Sequence, residues 1–195
     1  MSSERLWEIR WHGRGGQGTV TAARLLCVAA HQGGRGMKGV QAIPFIGAER
    51  RGSPVRAFNR ISAEPVRIWS AVRRPNVVVL IDPLAIVRSP DVVLDGLVPD
   101  GRLVVNTDAT SLGLNGRDDL EVWAVDATGV SLELNLRAGA DLVLNSPMLG
   151  ALARAVPEMV TLEQVQAALR EEFGRRAEVN CKTAALAYQR CRRLQ

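Results

Sequence analysis

One stretch of this chain could bind an anion with its backbone alone: His12-Gly13-Arg14-Gly15-Gly16-Gln17-Gly18-Thr19. It follows an alternating apolar/polar segment and precedes a long apolar run from Val20 to Ala30, the order of strand, glycine turn and buried helix. Glycines reach positive φ and admit close backbone approach, so the N–H groups of such a turn can be aimed at a phosphate. Gly13, Gly15 and Gly18 satisfy the pattern G-x-G-x-x-G. The dinucleotide fingerprint also requires an acidic residue about 20 residues on, at the end of the next strand, to hold a ribose. Here that strand ends in Pro44-Phe45 and Glu49 lies beyond it among arginines, so a nicotinamide dinucleotide is not the expected ligand. Thr19 and Arg24 are the nearby side chains suited to an anion, and His12, beside the turn, reads as a hydrogen-bonded structural group, with general base as the alternative.

The remaining chemistry is sparse. There is no G-x-S-x-G elbow, no H-E-x-x-H, and no Walker lysine after the glycines. Cys27, Cys181 and Cys191 form no C-x-x-C pair and match neither zinc nor iron–sulfur spacing. They suit a reducing, cytoplasmic compartment. Asp82 and Asp126, at strand ends, read as caps or loop anchors. With no self-sufficient catalytic constellation, the chain reads as part of a larger enzyme.

The elements that position the loop follow from hydrophobic period. Strands are expected near Leu6–Trp11, Val40–Phe45 and Val55–Ser62, with a short one at Val66–Trp69. Asn76–Pro83, Leu103–Thr107 and Val122–Asp126 are apolar runs ending in Asp, Asn or Thr, the signature of central parallel strands covered on both faces. Their polar ends mark one sheet edge, where α/β proteins gather ligands. The first helix is expected from Gly18 to His31, and short helical turns over Ala85–Leu97. The last third is expected to be helical: Ala127–Arg137, then a helix capped by Ser146 with Pro147 at its first position, then one opened by a Thr161/Gln164 capping box, then Ala177–Cys191. The expected fold class is α/β: a single three-layer Rossmann-like domain over residues 1–195, with a mostly parallel or mixed sheet and a helical C-terminal third.

Composition narrows the partners. The 195 residues carry a net charge of +5, spread over scattered arginines, and only 4% are aromatic. Scarce aromatics argue against a base-stacking surface, so nucleic acid is not expected. No apolar run approaches the ~18 residues of a membrane span, and no signal peptide is evident.

Assembled in order, these motifs resemble the gamma subunits of the 2-oxoacid:ferredoxin oxidoreductases, typified by pyruvate:ferredoxin oxidoreductase. Arg10 through Gly18 matches the family's R-x-x-G-x-G-G-Q-G. Pro44-Phe45, Gly47 and Glu49-Arg50-Arg51-Gly52-Ser53-Pro54-Val55 match its proline–aromatic pair, glycine and E-x-R-G-x-P-V. Asp82-Pro83, Asn106-Thr107, Asp126-Ala127-Thr128, Asn145 through Ala151 (N-x-x-M-L-G-A) and Asn180 follow in the family's order. The resemblance implies a multi-subunit enzyme that decarboxylates a 2-oxoacid on thiamine diphosphate, forms an acyl-coenzyme A, and passes electrons through iron–sulfur clusters to ferredoxin. It implies partners of the alpha, beta and delta types that hold thiamine diphosphate, magnesium and the clusters, with no cofactor bound by this chain alone, no activity of this chain alone and no membrane partner.

Under that resemblance the chain helps to assemble the complex and to bind coenzyme A. The implied cofactor-binding residues are Gly13, Gly15, Gly16, Gln17, Gly18, Thr19 and Arg24, and the implied interface is Phe45, Glu49, Arg50, Arg51 and Gly52. The glycines have a second reading, in which they only let the first helix pack tightly on the sheet. Two further functions stay open: the small subunit of an indolepyruvate:ferredoxin oxidoreductase, and a stand-alone nucleotide-binding regulator. The E-x-R-G-x-P-V segment favours the pyruvate-like group.

Overall fold

The structure, a computed structural model, describes residues 6–33, 36–45, 52–114 and 116–195. Strand β1 (Trp7–Arg14) leads through the glycine loop into α1 (Thr19–Gln32), then β2 (Gly39–Phe45) and β3 (Pro54–Ser62). Next come β4 (Val77–Leu80), the short helices α2 (Leu84–Arg88) and α3 (Pro90–Leu94), β5 (Arg102–Asn106) and β6 (Glu121–Val125). The chain ends with α4 (Ala127–Glu133), a hairpin of β7 (Arg137–Ala138) and β8 (Asp141–Leu142), α5 (Asn145–Ala155), α6 (Leu162–Phe173), α7 (Ala177–Arg190) and β9 (Arg192–Arg193).

Seven strands form one mixed sheet in the order β2-β3-β1-β4-β5-β6-β9. β1, β4, β5 and β6 run parallel, while β2 and β3 add antiparallel on one side and β9 on the other. The continuous apolar run of β4 has a simple cause. Val77 and Val79, with Ile81 beyond, enter the core beneath α1, α5, α6 and α7, whereas Val78 and Leu80 enter a smaller core beneath α2 and α3. With both faces covered there is no polar side to alternate with. The result is the three-layer α/β architecture expected above.

Local sequence accounts for several boundaries. The Thr161 hydroxyl accepts from the Gln164 N–H and the Gln164 side chain accepts from the Thr161 N–H, the reciprocal box that starts α6. Such a cap is worth about 1 kcal/mol. The Asp126 carboxylate accepts from the Gly129 N–H at 2.7 Å and starts α4. Fully buried Asn59 fixes α1 on the sheet: its side-chain NH₂ donates to the Ala23 and Gln41 carbonyls, and its oxygen accepts from the Trp11 indole N–H.

Four expectations need correction. Val66–Trp69 forms no strand; the carbonyl of Ile68, and that of Ser70 just beyond, accept from the Arg60 side chain instead of a neighbouring strand. The helix after β6 stops at Glu133, because Asn135 takes a positive φ and the chain turns into the β7–β8 hairpin. Ser146 is not an N-cap: α5 already begins at Asn145, and the Ser146 hydroxyl bonds Asn180 and Asn145. β1 runs on to Arg14, since Gly13 and Arg14 pair with Val55 and Pro54 of β3, so the glycine loop is shorter than the sequence suggests. No helix among the described residues is long and apolar enough to cross a membrane.

Candidate functional site

The extension of β1 compresses the loop to Gly15–Gly18. The Gln17 N–H donates to the Arg14 carbonyl at 3.1 Å, closing a four-residue turn with Gly16 third, at φ +98°. A turn of this kind needs positive φ at that position. The Gln17 side-chain oxygen accepts from the Arg14 N–H at 2.8 Å, so the turn is held from both ends. The ladder with the β3 side continues past the strands: Gly15 N–H donates to the Ser53 carbonyl, and Gly52 N–H to the Gly15 carbonyl. Gly18 is the N-cap of α1 at φ +82° and contributes no side-chain cap.

This geometry leaves donors unused. The N–H groups of Gly16 and Gly18 have no acceptor among the described residues, and the first turn of α1 has no side-chain cap. The Thr19 hydroxyl is buried without a hydrogen-bond partner among the described residues, pressed where a Cβ on Gly13 would come within 2.1 Å of it. The loop borders an open hollow of about 410 Å³, whose other walls include Thr128, Arg137, Asp141 and Leu144. An uncapped helix start, two spare N–H groups and an arginine at the rim suit a phosphate. The residues present therefore fit the anionic part of a coenzyme A-like ligand.

The loop also rests on the start of α5. The Asn145 side chain lies where a Cβ on Gly18 would meet it at 3.1 to 3.2 Å. The Asn145 oxygen accepts from the Ser146 N–H, and the Ser146 hydroxyl, 3.1 Å from the same oxygen, donates to the Asn180 side-chain oxygen at 2.7 Å. Asn180 in turn donates to the Arg176 carbonyl. Asn145, Ser146 and Asn180 are thus one buried polar chain, and the part-exposed glycine loop packs against its Asn145 end.

On the other side of β1 lies a cavity of about 330 Å³ lined by His12, Arg14, Phe45, Arg56, Asp82 and Arg88 among others. The Arg14 guanidinium is tied to Asp82 at 2.6 Å. His12 Nε2 accepts from Arg10 Nε at 3.0 Å, while Arg10 also donates to the carbonyls of Val93 and Asp95. Burial first, then the nearby charges of Arg10 and Arg56, pushes the His12 pKa down to about 3. An uncharged imidazole already committed to Arg10 is a structural acceptor, not a general base for neutral pH.

The sequence-derived residues divide as follows. Gly13, Gly15, Gly16, Gln17, Gly18 and Thr19 come together at the loop. Arg24 does not join them: its guanidinium pairs with Glu172 on α6. Phe45 is 48% exposed, stacked edge-on against Phe58 and beneath the Arg56 guanidinium. Gly52 lies beside the loop through its bond to Gly15. Glu49, Arg50 and Arg51 lie outside the described residues. Among the described residues no group of three His, Cys, Asp or Glu is placed to hold a metal ion. Burial pushes the Cys27 thiol up to about 11 and Cys191 to about 12. Sequence reading did not reach Arg137, which only the β7–β8 hairpin carries to the loop.

A parallel-centred mixed sheet between helical layers, with a glycine turn after its first strand, defines a Rossmann-like α/β protein. The sequence narrows the class. Residues 8–190 match the family model described as pyruvate ferredoxin/flavodoxin oxidoreductase. The chain is 43% identical to the pyruvate/ketoisovalerate oxidoreductases common subunit gamma of Thermococcus kodakarensis, covering 94% of this chain and 96% of that one. It is also 43% identical to the pyruvate synthase subunit PorC of Thermotoga maritima, over 89% and 86%. A crystal structure of the Thermotoga maritima pyruvate oxidoreductase subunit superposes with a TM-score of 0.80 at 37% identity, covering 96% of this chain and 98% of that one. The chain therefore belongs to the pyruvate ferredoxin/flavodoxin oxidoreductase family, as a gamma subunit of a 2-oxoacid:ferredoxin oxidoreductase.

Proposed function

We propose that the whole chain acts as one domain that helps to assemble a pyruvate- or branched-chain-2-oxoacid:ferredoxin oxidoreductase and holds the phosphate end of coenzyme A at its glycine loop. The observation that carries the second part is the pair of unused N–H groups, Gly16 and Gly18, at the uncapped start of α1. Bound coenzyme A would supply the thiol that accepts the acyl group. This chain's own part is to orient that ligand: the two N–H groups and the α1 dipole meet a phosphate, Arg137 meets it from the hairpin, and Leu144 closes the wall. Decarboxylation on thiamine diphosphate, and electron transfer through iron–sulfur clusters to ferredoxin, belong to partner chains of the alpha, beta and delta types. The three free thiols suit a cytoplasmic setting. The Thermococcus relative is named as a subunit common to pyruvate and ketoisovalerate enzymes. A shared subunit cannot be what selects the oxoacid, so we assign that choice here to the partners as well.

Steady-state kinetics of the assembled complex test this reading. Gly16→Val forces a β-branched residue to φ +98° beside Asp141, and Arg137→Ala removes one charge-assisted contact, worth roughly 1.5–3 kcal/mol or ten- to a hundred-fold in affinity. Both should raise the Michaelis constant for coenzyme A and leave that for the 2-oxoacid unchanged. Arg24→Ala should change neither, because its guanidinium is spent on Glu172. Unchanged coenzyme A constants in both loop-side variants would assign the glycines to helix packing alone.

A further inference from the structure

The segment joining β3 to β4 carries no regular structure, yet its backbone is held. Arg60 on β3 is 3% exposed and pairs through Nε with Glu8 at 2.9 Å. Its Nη1 donates to the carbonyls of Ile68 at 3.2 Å and Ser70 at 2.7 Å. One buried guanidinium thus grips the carbonyls on both sides of Trp69, and buried Val72 pins the chain just beyond. What this grip presents is apolar: Trp69 is 78% exposed and Ile68 50%. Trp7 and Trp11 are buried and Trp123 is half-buried. A tryptophan facing water on a fixed backbone adds little to folding, but it is how a binding hot spot is built, with its ordering cost already met.

We infer that Ile68 and Trp69 form an anchor that docks this chain on another subunit of its oxidoreductase, in an apolar pocket rimmed by carboxylates. The inference rests on the gamma-subunit reading and deepens its assembly role. The rim follows from charge. Arg67, Arg73 and Arg74 are exposed around the anchor, without an ion-pair partner among the described residues, and Glu64 is the one acid between residues 63 and 74. A second copy of this chain would bring the same arginines face to face, at an electrostatic cost that acidic partner groups turn into a gain.

The test titrates full-length wild-type, Trp69→Ala, Ile68→Ala and Arg73→Glu/Arg74→Glu chains against the remaining subunits of the complex. Trp69→Ala should weaken association roughly thirty-fold or more, as a hot-spot residue does. Ile68→Ala should weaken it less, and the charge-reversed chain should associate more slowly at low salt. The melting temperatures of the isolated Trp69→Ala and Ile68→Ala chains should stay within about 2 °C of wild type, because surface truncations leave the core intact. Association of both within twofold of wild type overturns the proposal. So does a wild-type chain that dimerises, or binds anionic phosphatidylserine vesicles, through Trp69. A wild-type chain that recovers no other subunit overturns the assembly reading along with it; normal recovery by wild type and Trp69→Ala alike removes only the anchor.

Discussion

The side chain of Asn145 rests on the Cα of Gly18, so that a methyl group built there would lie 3.1 to 3.2 Å from its amide. Gly18 also sits at φ +82°, where a side chain is strained even in open space. Gly18→Ala should therefore cost roughly 1–2 kcal/mol from backbone conformation, with crowding against Asn145 added. Denaturant unfolding of the isolated chain measures it. A neutral substitution would mean that loop and α5 relax apart freely.

Through Asn145 and Ser146 the same contact links the loop to Asn180, which lies 34 residues beyond Ser146. Asn180→Ala removes the shorter of the two contacts of the buried Ser146 hydroxyl and the side-chain donor to the Arg176 carbonyl, at about 1–3 kcal/mol. Because Ser146 helps to orient Asn145, the substitution should also raise the Michaelis constant for coenzyme A without touching the loop. Lost stability with unaltered coenzyme A kinetics would confine the network to a packing role.

His12 gives a pH dependence with a definite sign. Its folded pKa, about 3, lies below the ordinary 6.5, so the unfolded chain takes up its proton first as pH falls. The stability held in the uncharged imidazole is fully present above pH 6.5 and is lost between about 6.5 and 3, at a slope approaching about 1.4 kcal/mol per pH unit. His12→Gln, which retains an acceptor for Arg10, should flatten the stability profile across that window. Parallel profiles for the two chains would show that the imidazole is hydrated in the folded state.

How far the sequence could be read depended on the range of the forces involved. The α6 capping box and the Asp126 cap were legible because every partner lies within three residues. The buried strands β4, β5 and β6 were legible because burial on both faces leaves an unbroken apolar run. Ser146 was misread because its Ser-Pro pair looks like a helix start, while Asn180, on another helix, claims the hydroxyl. Val66–Trp69 has a strand's composition, and nothing local announces that Arg60 will take the carbonyls of Ile68 and Ser70. At the site, the glycine loop was legible as a donor cluster. Arg24 was assigned by distance along the helix, but rotation about the helix axis turns it towards Glu172.

The two arginines of β9 do more than end the sheet. Arg192 and Arg193 pair with Ala124 and Trp123, while Leu194 and Gln195 exchange backbone hydrogen bonds with Val122. The parallel core would otherwise stop at β6 with a row of open N–H and C=O groups, the template on which sheets of separate molecules join edge to edge. A final strand two residues long and doubly charged covers that row and is itself too short and too cationic to recruit another. At this edge the sheet can therefore stay open, uncurled into a barrel, without offering β6 as a template for another molecule.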